Sequence, residues 1–251
     1  CPEMGWLLYA KGAWGRDTSK QVNNAMSVVC ALMRQSGLAA MEQGEASGDT
    51  DLEEHGGRLV GWARSSENSP RFGNGVRHSE PKAAIEFESL DRHDHLLVVK
   101  NGTIDLRSGE LMEHDPDHLI TYRVEHPYDP EAEAPRWRQF LLEVMDGDTD
   151  LVSYLQRFVG YAITGSTAEQ AFAVLHGTGA NGKSVLTGVL GDVLGDIVGV
   201  AAFSAFESKP TGASTADLAS LRGRRLVFAQ EGERSKPMAE AIIKRATGGD
   251  H

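Results

Sequence analysis

Cysteine is almost absent from this chain: Cys1 and Cys30 are the only two among 251 residues. That scarcity excludes a disulfide framework and a cysteine-based zinc site, and it predicts an intracellular protein. Long apolar runs are missing too. No stretch approaches the roughly 20 consecutive apolar residues that a membrane-crossing helix needs, and no signal peptide opens the sequence. An excess of positive charge is also lacking, because 25 Lys+Arg face 36 Asp+Glu for a net charge of −11. Such a balance argues against a uniformly basic nucleic-acid surface. The acidity is lopsided, however: residues 1–150 carry 15 basic and 27 acidic side chains, and residues 151–251 carry 10 and 9. The second half is therefore near neutral, and in a ring-shaped assembly its basic loops could still line a channel. The chain opens on Cys1 without an initiator methionine and stops at His251 after a helical segment, which reads as a piece of a longer protein.

What is present fits a globular chain of one large or two ordinary domains, with 40% hydrophobic and 24% charged residues. Trp6–Tyr9 and Ala13-Trp14, separated by Lys11-Gly12, suggest an opening hairpin. Residues 18–42 place Val22, Met26, Val29, Leu32 and Met33 on one helical face; residues 43–50 read as a polar loop, and 51–65 as a second helix. The segment 65–81 has weak periodicity and fits no element clearly. Leu96–Val99 and Thr103–Leu106 flank Asn101-Gly102, a strong hairpin signal, and Ser108-Gly109 turns the chain again before Glu110–Met112. From Pro135 onward Trp137, Phe140, Leu141 and Val144 share one helical face, and Leu151, Tyr154, Leu155, Phe158 and Val159 share another, with Gly165 as a stop. A domain boundary is expected near 166/167.

The richest motif is Gly177-Thr178-Gly179-Ala180-Asn181-Gly182-Lys183-Ser184, a full match to G-x-x-x-x-G-K-[ST]. Gln170–His176 reads as a short buried strand before it, and Val185, Leu186, Val189, Leu190, Val193 and Leu194 recur at helical spacing after it. Glycine lets such a loop turn where side chains would clash, and it brings N–H groups toward phosphate oxygens. The helix that follows adds the positive end of its dipole. In this pattern Lys183 reaches the β- and γ-phosphates of ATP, and the Ser184 hydroxyl ligates Mg²⁺.

A partner acid is expected at the end of a neighbouring strand. Arg225–Gln230 is a short, mainly apolar run ending at Glu231, where ligands sit beyond the carboxyl ends of parallel strands. Glu231 is the candidate for metal coordination and for polarising the attacking water; the alternative is a strand that ends in a solvated acid. Gln230 stands where many such ATPases place Asp, so the division between metal acid and catalytic base stays open, with Glu233 a weaker candidate. Lys244 and Arg245 close a helical stretch before Gly248-Gly249, and plain C-capping accounts for them on these residues alone. His93 and His95, and the patch His114, Asp115, Asp117 and His118, lack zinc spacing and read as solvated surface. Trp14, Trp62 and Trp137 are candidates to stack on bases, although Trp137 falls at core spacing. Cys30 reads as an inert buried thiol.

Taken together, these residues resemble a known family. Trp6–Trp14, Lys100–Leu111, Tyr154–Arg157 and Gly160–Gly165 look like the helicase-linked amino-terminal domain of phage and plasmid primase-helicases. Gly179–Ser184, with its Asn before Gly-Lys-Ser, is similar to that family's phosphate loop. Leu218-Ala219 and Leu221–Val227 lead into Glu231 as the family's second motif does, and Ile243–Asp250 is similar to the next. The resemblance implies a superfamily-three DNA helicase: an α/β, AAA+-like P-loop ATPase core over 167–251, incomplete at its C-terminal side. A mixed, mainly helical α+β domain would precede it over 1–166. It further implies ATP and Mg²⁺, single-stranded or forked DNA, a homo-hexamer, a fused or separate primase, and work in the cytoplasm of a bacterial host for a phage, plasmid or prophage. It raises a DNA-contacting role for Lys244 and Arg245 to equal standing with capping. A γ-phosphate sensor and an arginine finger would follow His251, and loss of the latter alone slows hydrolysis by about 10³–10⁵. An ATP-dependent replication loader or switch that does not unwind, and an inactive prophage remnant, remain alternatives.

Overall fold

The computed structural model describes residues 1–67, 69–177, 179–207, 221, 223–230 and 237–248. By packing, the chain divides into two compact units, Cys1–Leu8 with Gly15–Ser89, and Tyr9–Trp14 with Leu90–His251. Strands β1 (Leu7–Ala10) and β2 (Ala13–Arg16) pair as the expected hairpin.

The first unit is built on a helical hairpin, α1 (Gln21–Ser47) and α2 (Thr50–Ser66). Asp17 sets the start of α1: its carboxylate accepts from the N–H groups of Gln21 at 2.8 Å and Val22 at 2.9 Å. Those bonds, Val22 foremost, hold its pKa below the ordinary value. The polar loop expected over 43–50 is instead mostly helix. Gln43, Glu45 and Ala46 are good helix formers, and the helix stops only where Gly48 adopts a left-handed φ of 71°. Asp49 then caps α2 by accepting from Leu52 N–H at 3.1 Å. The two helices meet at glycine: a Cβ on Gly56 would lie 2.5 Å from the Gly37 carbonyl oxygen and 2.7 Å from Met41 N. Cys30 and Ala63 are fully buried, as the small-residue seam requires. The uncertain segment after α2 forms α3 (Ser69–Ser79), whose Gly75 lies against the Met26 methyl.

The second unit begins with an antiparallel meander of β3 (Leu96–Val99), β4 (Gly102–Asp105) and β5 (Glu110–Met112), in the register Val98↔Thr103 and Ile104↔Leu111. All four β3 residues are buried, so β3 reads as a continuous apolar run rather than an alternation. The chain over 120–126 lies along β3, with Val124 N–H donating to Val98 O at 2.9 Å and Lys100 N–H to His126 O at 3.0 Å. Asn101 fixes the same edge by exchanging two bonds with the backbone of Tyr128, at 2.8 and 2.9 Å. Helices α4 (Pro135–Val144), α5 (Thr149–Ala162) and α6 (Lys183–Leu194) follow. Strand β6 (Val198–Ala202) pairs in parallel with β7 (Leu226–Gln230), and α7 (Glu240–Gly248) comes last. Leu194, Ile197 and Leu226 join β3, β4, Ile120, Tyr122 and Val124 in one hydrophobic core. The meander and the region after residue 167 are thus parts of one packed body.

The strand expected over 170–176 is not formed. Phe172 and Val174 are 54% and 75% exposed, and among the described residues 171–176 make no backbone–backbone hydrogen bond. An apolar run becomes a strand only where a neighbour supplies donors and acceptors, and no described strand lies beside this one.

Arg225, immediately before β7, is the polar centre of this unit. Its N–H groups donate to the carbonyls of Ile163 at 2.8 Å, Leu96 at 3.0 Å and His93 at 3.2 Å, and to the Tyr122 hydroxyl. The guanidinium also lies 4.7 Å from the Tyr122 ring centroid. Burial lowers the Arg225 pKa and pushes that of Tyr122 up to about 12. Tyr122 is therefore neutral and donates to Leu96 O at 3.0 Å.

Three outcomes follow from this packing. Gly56→Ala should cost about 1–3 kcal/mol, since a methyl group there meets the backbone at Gly37 O and Met41 N as well as the Met41 side chain; thermal melting measures it. Arg225→Met should cost about 2–4 kcal/mol in urea denaturation, because it removes a charged donor from the carbonyls of Ile163, Leu96 and His93 and from the Tyr122 hydroxyl together. The raised Tyr122 pKa means that the native state holds its proton longer than the unfolded chain. The stability this contributes is complete below about pH 10, the ordinary tyrosine value. It is lost as pH rises toward about 12, and Tyr122→Phe should flatten that part of the alkaline denaturation profile.

Candidate functional site

The glycine-rich loop over 177–184 enters α6 through three residues with left-handed backbone. Gly179 has φ 106°, Ala180 φ 48° and Gly182 φ 79°. Gly182 is the N-cap of α6, and its carbonyl accepts from Leu186 N–H at 2.9 Å. Its lack of a side chain serves a second purpose, because a Cβ there would lie 2.5 Å from Val144 Cγ1 and 3.1 Å from Phe140. Helix α4 therefore backs the loop at close range, with Phe140 stacked on Trp137 at 5.5 Å between ring centroids. Trp137 is thus part of this packing, as its helical spacing predicts. The contact of α4 with the loop was not legible in the sequence, because nothing in the helical pattern names a partner for Phe140 and Val144.

Lys183 is the first residue of α6, and its ammonium turns back over the loop. It donates to Asn181 Oδ1 at 2.7 Å and to Gly177 O at 3.4 Å. Asn181 in turn folds against Gly177, where its amide nitrogen takes the space that a Cβ would need. Ser184 is exposed in the first turn of α6, and Thr187 bonds back to the Lys183 and Ser184 carbonyls at 3.2 and 3.3 Å. The first N–H groups of a helix have no partner within it. Together with a cation and a left-handed loop they suit an anion with several oxygens.

The remaining site residues are distributed differently. Strand β7 ends at Gln230, so Glu231 and Glu233 lie outside the described residues, as does Thr178 within the loop. Lys244 is on the exposed side of α7, paired with Glu240 at 2.5 Å, and that pairing raises its pKa. It borders a cleft of about 560 Å³ shared with Gln170, Phe172, Met238, Ile243 and Thr247. The side chain of Arg245 is outside the described set. His93 meets His95 and His118 edge to face, at 5.7 Å between ring centroids in each case. Among the described residues, no group of three or more His, Cys, Asp or Glu could hold a metal. Nor is any described helix long and apolar enough to cross a membrane. Trp14 donates its indole N–H to Pro116 O at 2.8 Å, whereas Trp62 is 61% exposed on α2. Arg225, which anchors the start of β7, was not legible as an anchor in the sequence, because a basic pair before an apolar run carries no mark of burial.

Comparison with known proteins adds two findings. Over 191 residues the chain is 28% identical to a protein of Acanthamoeba polyphaga mimivirus named "Putative helicase L207/L206". The alignment takes in 73% of this chain and 20% of the viral protein, so the chain spans about a fifth of that relative's length. The family model described as D5 N terminal like matches residues 1–146, from the opening hairpin through α4. With more than half of its length matched, the chain belongs to the D5 N-terminal-like family.

Proposed function

We propose that this chain is the ATP-dependent DNA helicase module of a phage, plasmid or prophage replication protein of primase-helicase type. The observation that carries the reading is the glycine-rich loop: Gly182 starts α6 with φ 79°, and Lys183 bends over the loop to within 3.4 Å of Gly177 O. These residues fit a nucleoside triphosphate. The free N–H groups and Lys183 would hold the phosphates, and Ser184 stands exposed where a hydroxyl could ligate Mg²⁺. Bound there, Mg²⁺ would supply charge neutralisation at the β- and γ-phosphate oxygens. Membership of the D5 N-terminal-like family and likeness to a viral protein named as a helicase support the replication context.

In this reading residues 167–251 belong to a P-loop, AAA+-like core of the superfamily-three type, and residues 1–166 to the domain linked to it. Glu231 serves as the metal-side acid and polarises the attacking water. Lys244 and Arg245 are the candidate DNA contacts in a homo-hexameric ring, with a primase fused or recruited. Placement in the cytoplasm of a bacterial host follows from the same reading. The acidic first half supports only a limited DNA-contacting surface, in keeping with contact confined to one ring-lining region.

The test is ATP hydrolysis by the full-length protein, measured with and without single-stranded DNA. The expected result is DNA-stimulated hydrolysis that Lys183→Ala abolishes while the melting temperature is unchanged. Hydrolysis that ignores DNA, in a protein that stays monomeric at working concentration, would remove the helicase reading.

A further inference from the structure

We infer that Asn181 is a built-in competitor for the phosphate, a positioning residue that parks Lys183 until nucleotide displaces it. This rests on the nucleotide-binding reading of the loop and adds to it a residue whose side chain must move. Three observations meet at Asn181. Its Oδ1 accepts from the Lys183 ammonium at 2.7 Å, the shorter of that ammonium's two contacts within the loop. Its amide nitrogen lies against Gly177, filling the space over the first residue of the loop. The two residues before it, Gly179 and Ala180, both have left-handed backbone, with φ 106° and 48°.

The orientation of the carboxamide follows from chemistry. An ammonium only donates, so the atom facing Lys183 is the oxygen. That oxygen therefore offers Lys183 what a phosphate oxygen would offer: an acceptor in the mouth of a glycine-rich loop. The amide offers it without a charge. A phosphate oxygen carrying negative charge makes the stronger bond to an ammonium. Nucleotide entry thus exchanges a neutral acceptor for an anionic one and swings Asn181 away from Gly177. Gly177 has to be glycine for the parked state, since any side chain there would collide with the amide.

Two substitutions at this position should act in opposite directions. Asn181→Ala removes the competitor and leaves Lys183 free, so affinity for Mg-ATP should rise by about three- to tenfold. Asn181→Asp places an anion against the ammonium and beside the incoming phosphates, so affinity should fall by about tenfold or more. Equilibrium titration with a fluorescent ATP analogue and competition by inorganic pyrophosphate read both, with thermal melting as the check on folding. Gly177→Ala should also shift the balance toward release of Lys183, if it folds. Should wild type bind no nucleotide, the underlying reading fails. Should wild type bind and Asn181→Ala bind equally or more weakly, the parking role is overturned while nucleotide binding stands. An Asn181 that merely shapes the loop would weaken binding in both variants, and one that clasps the bound phosphate would lose affinity as alanine.

Discussion

Arg225 brings a guanidinium into the partly buried packing of the larger unit, where loss of hydration is costly unless its N–H groups find acceptors. The acceptors come from widely separated parts of the chain: the end of α5 at Ile163, the approach to β3 at His93, β3 itself at Leu96, and the hydroxyl of Tyr122. Because Arg225 N–H also donates to Ile197 O at 2.7 Å, the same residue ties the start of β7 to the turn before β6. The parallel pair β6–β7 is thereby tied to the meander by polar bonds from one side chain, in addition to the shared apolar core. Around this polar point Leu96, Tyr122, Ile197 and Leu226 form a continuous apolar core. The position of β7 depends on that hydrogen-bonded cation.

The glycine-rich loop has support of a different kind. Gly182 lies under Val144 and Phe140 of α4, and α4 falls within the segment matched by the family model. The loop thus takes part of its shape from the family-matched region rather than from its own sequence alone. This continuity gives a physical reason for the two to occur in one chain: α4 fixes the entry to α6, and α6 delivers Leu194 to the shared core.

Much of the fold was legible where local chemistry decides it. Asn101-Gly102 announced the β3–β4 turn, Pro135 opened α4, and the apolar spacing of Lys183–Leu194 gave α6. The left-handed Gly179 and Gly182 followed from the motif. What escaped depended on distant partners. The run 170–176 has strand composition but no described strand to pair with, and β6, with its Val-Gly-Val-Ala-Ala sequence, is a strand because β7 lies alongside it. The extension of α1 through Ser47 was hidden by polar residues that tolerate a helix as readily as a loop. The close fold of Asn181 onto Gly177 was equally invisible, because side-chain direction in a loop is set by torsions that a motif does not encode.

The glycine seam of the first unit has a mechanical consequence. Helix α1 spans 27 residues without an interior proline, a length of about 40 Å at 1.5 Å per residue. Gly37 and Gly56 bring its backbone into direct contact with that of α2, so neither helix can bend at that level without moving the other. Two rods joined at their closest approach resist flexure more than either alone. A load applied at one end of the hairpin is passed along its length, with no hinge between to absorb it.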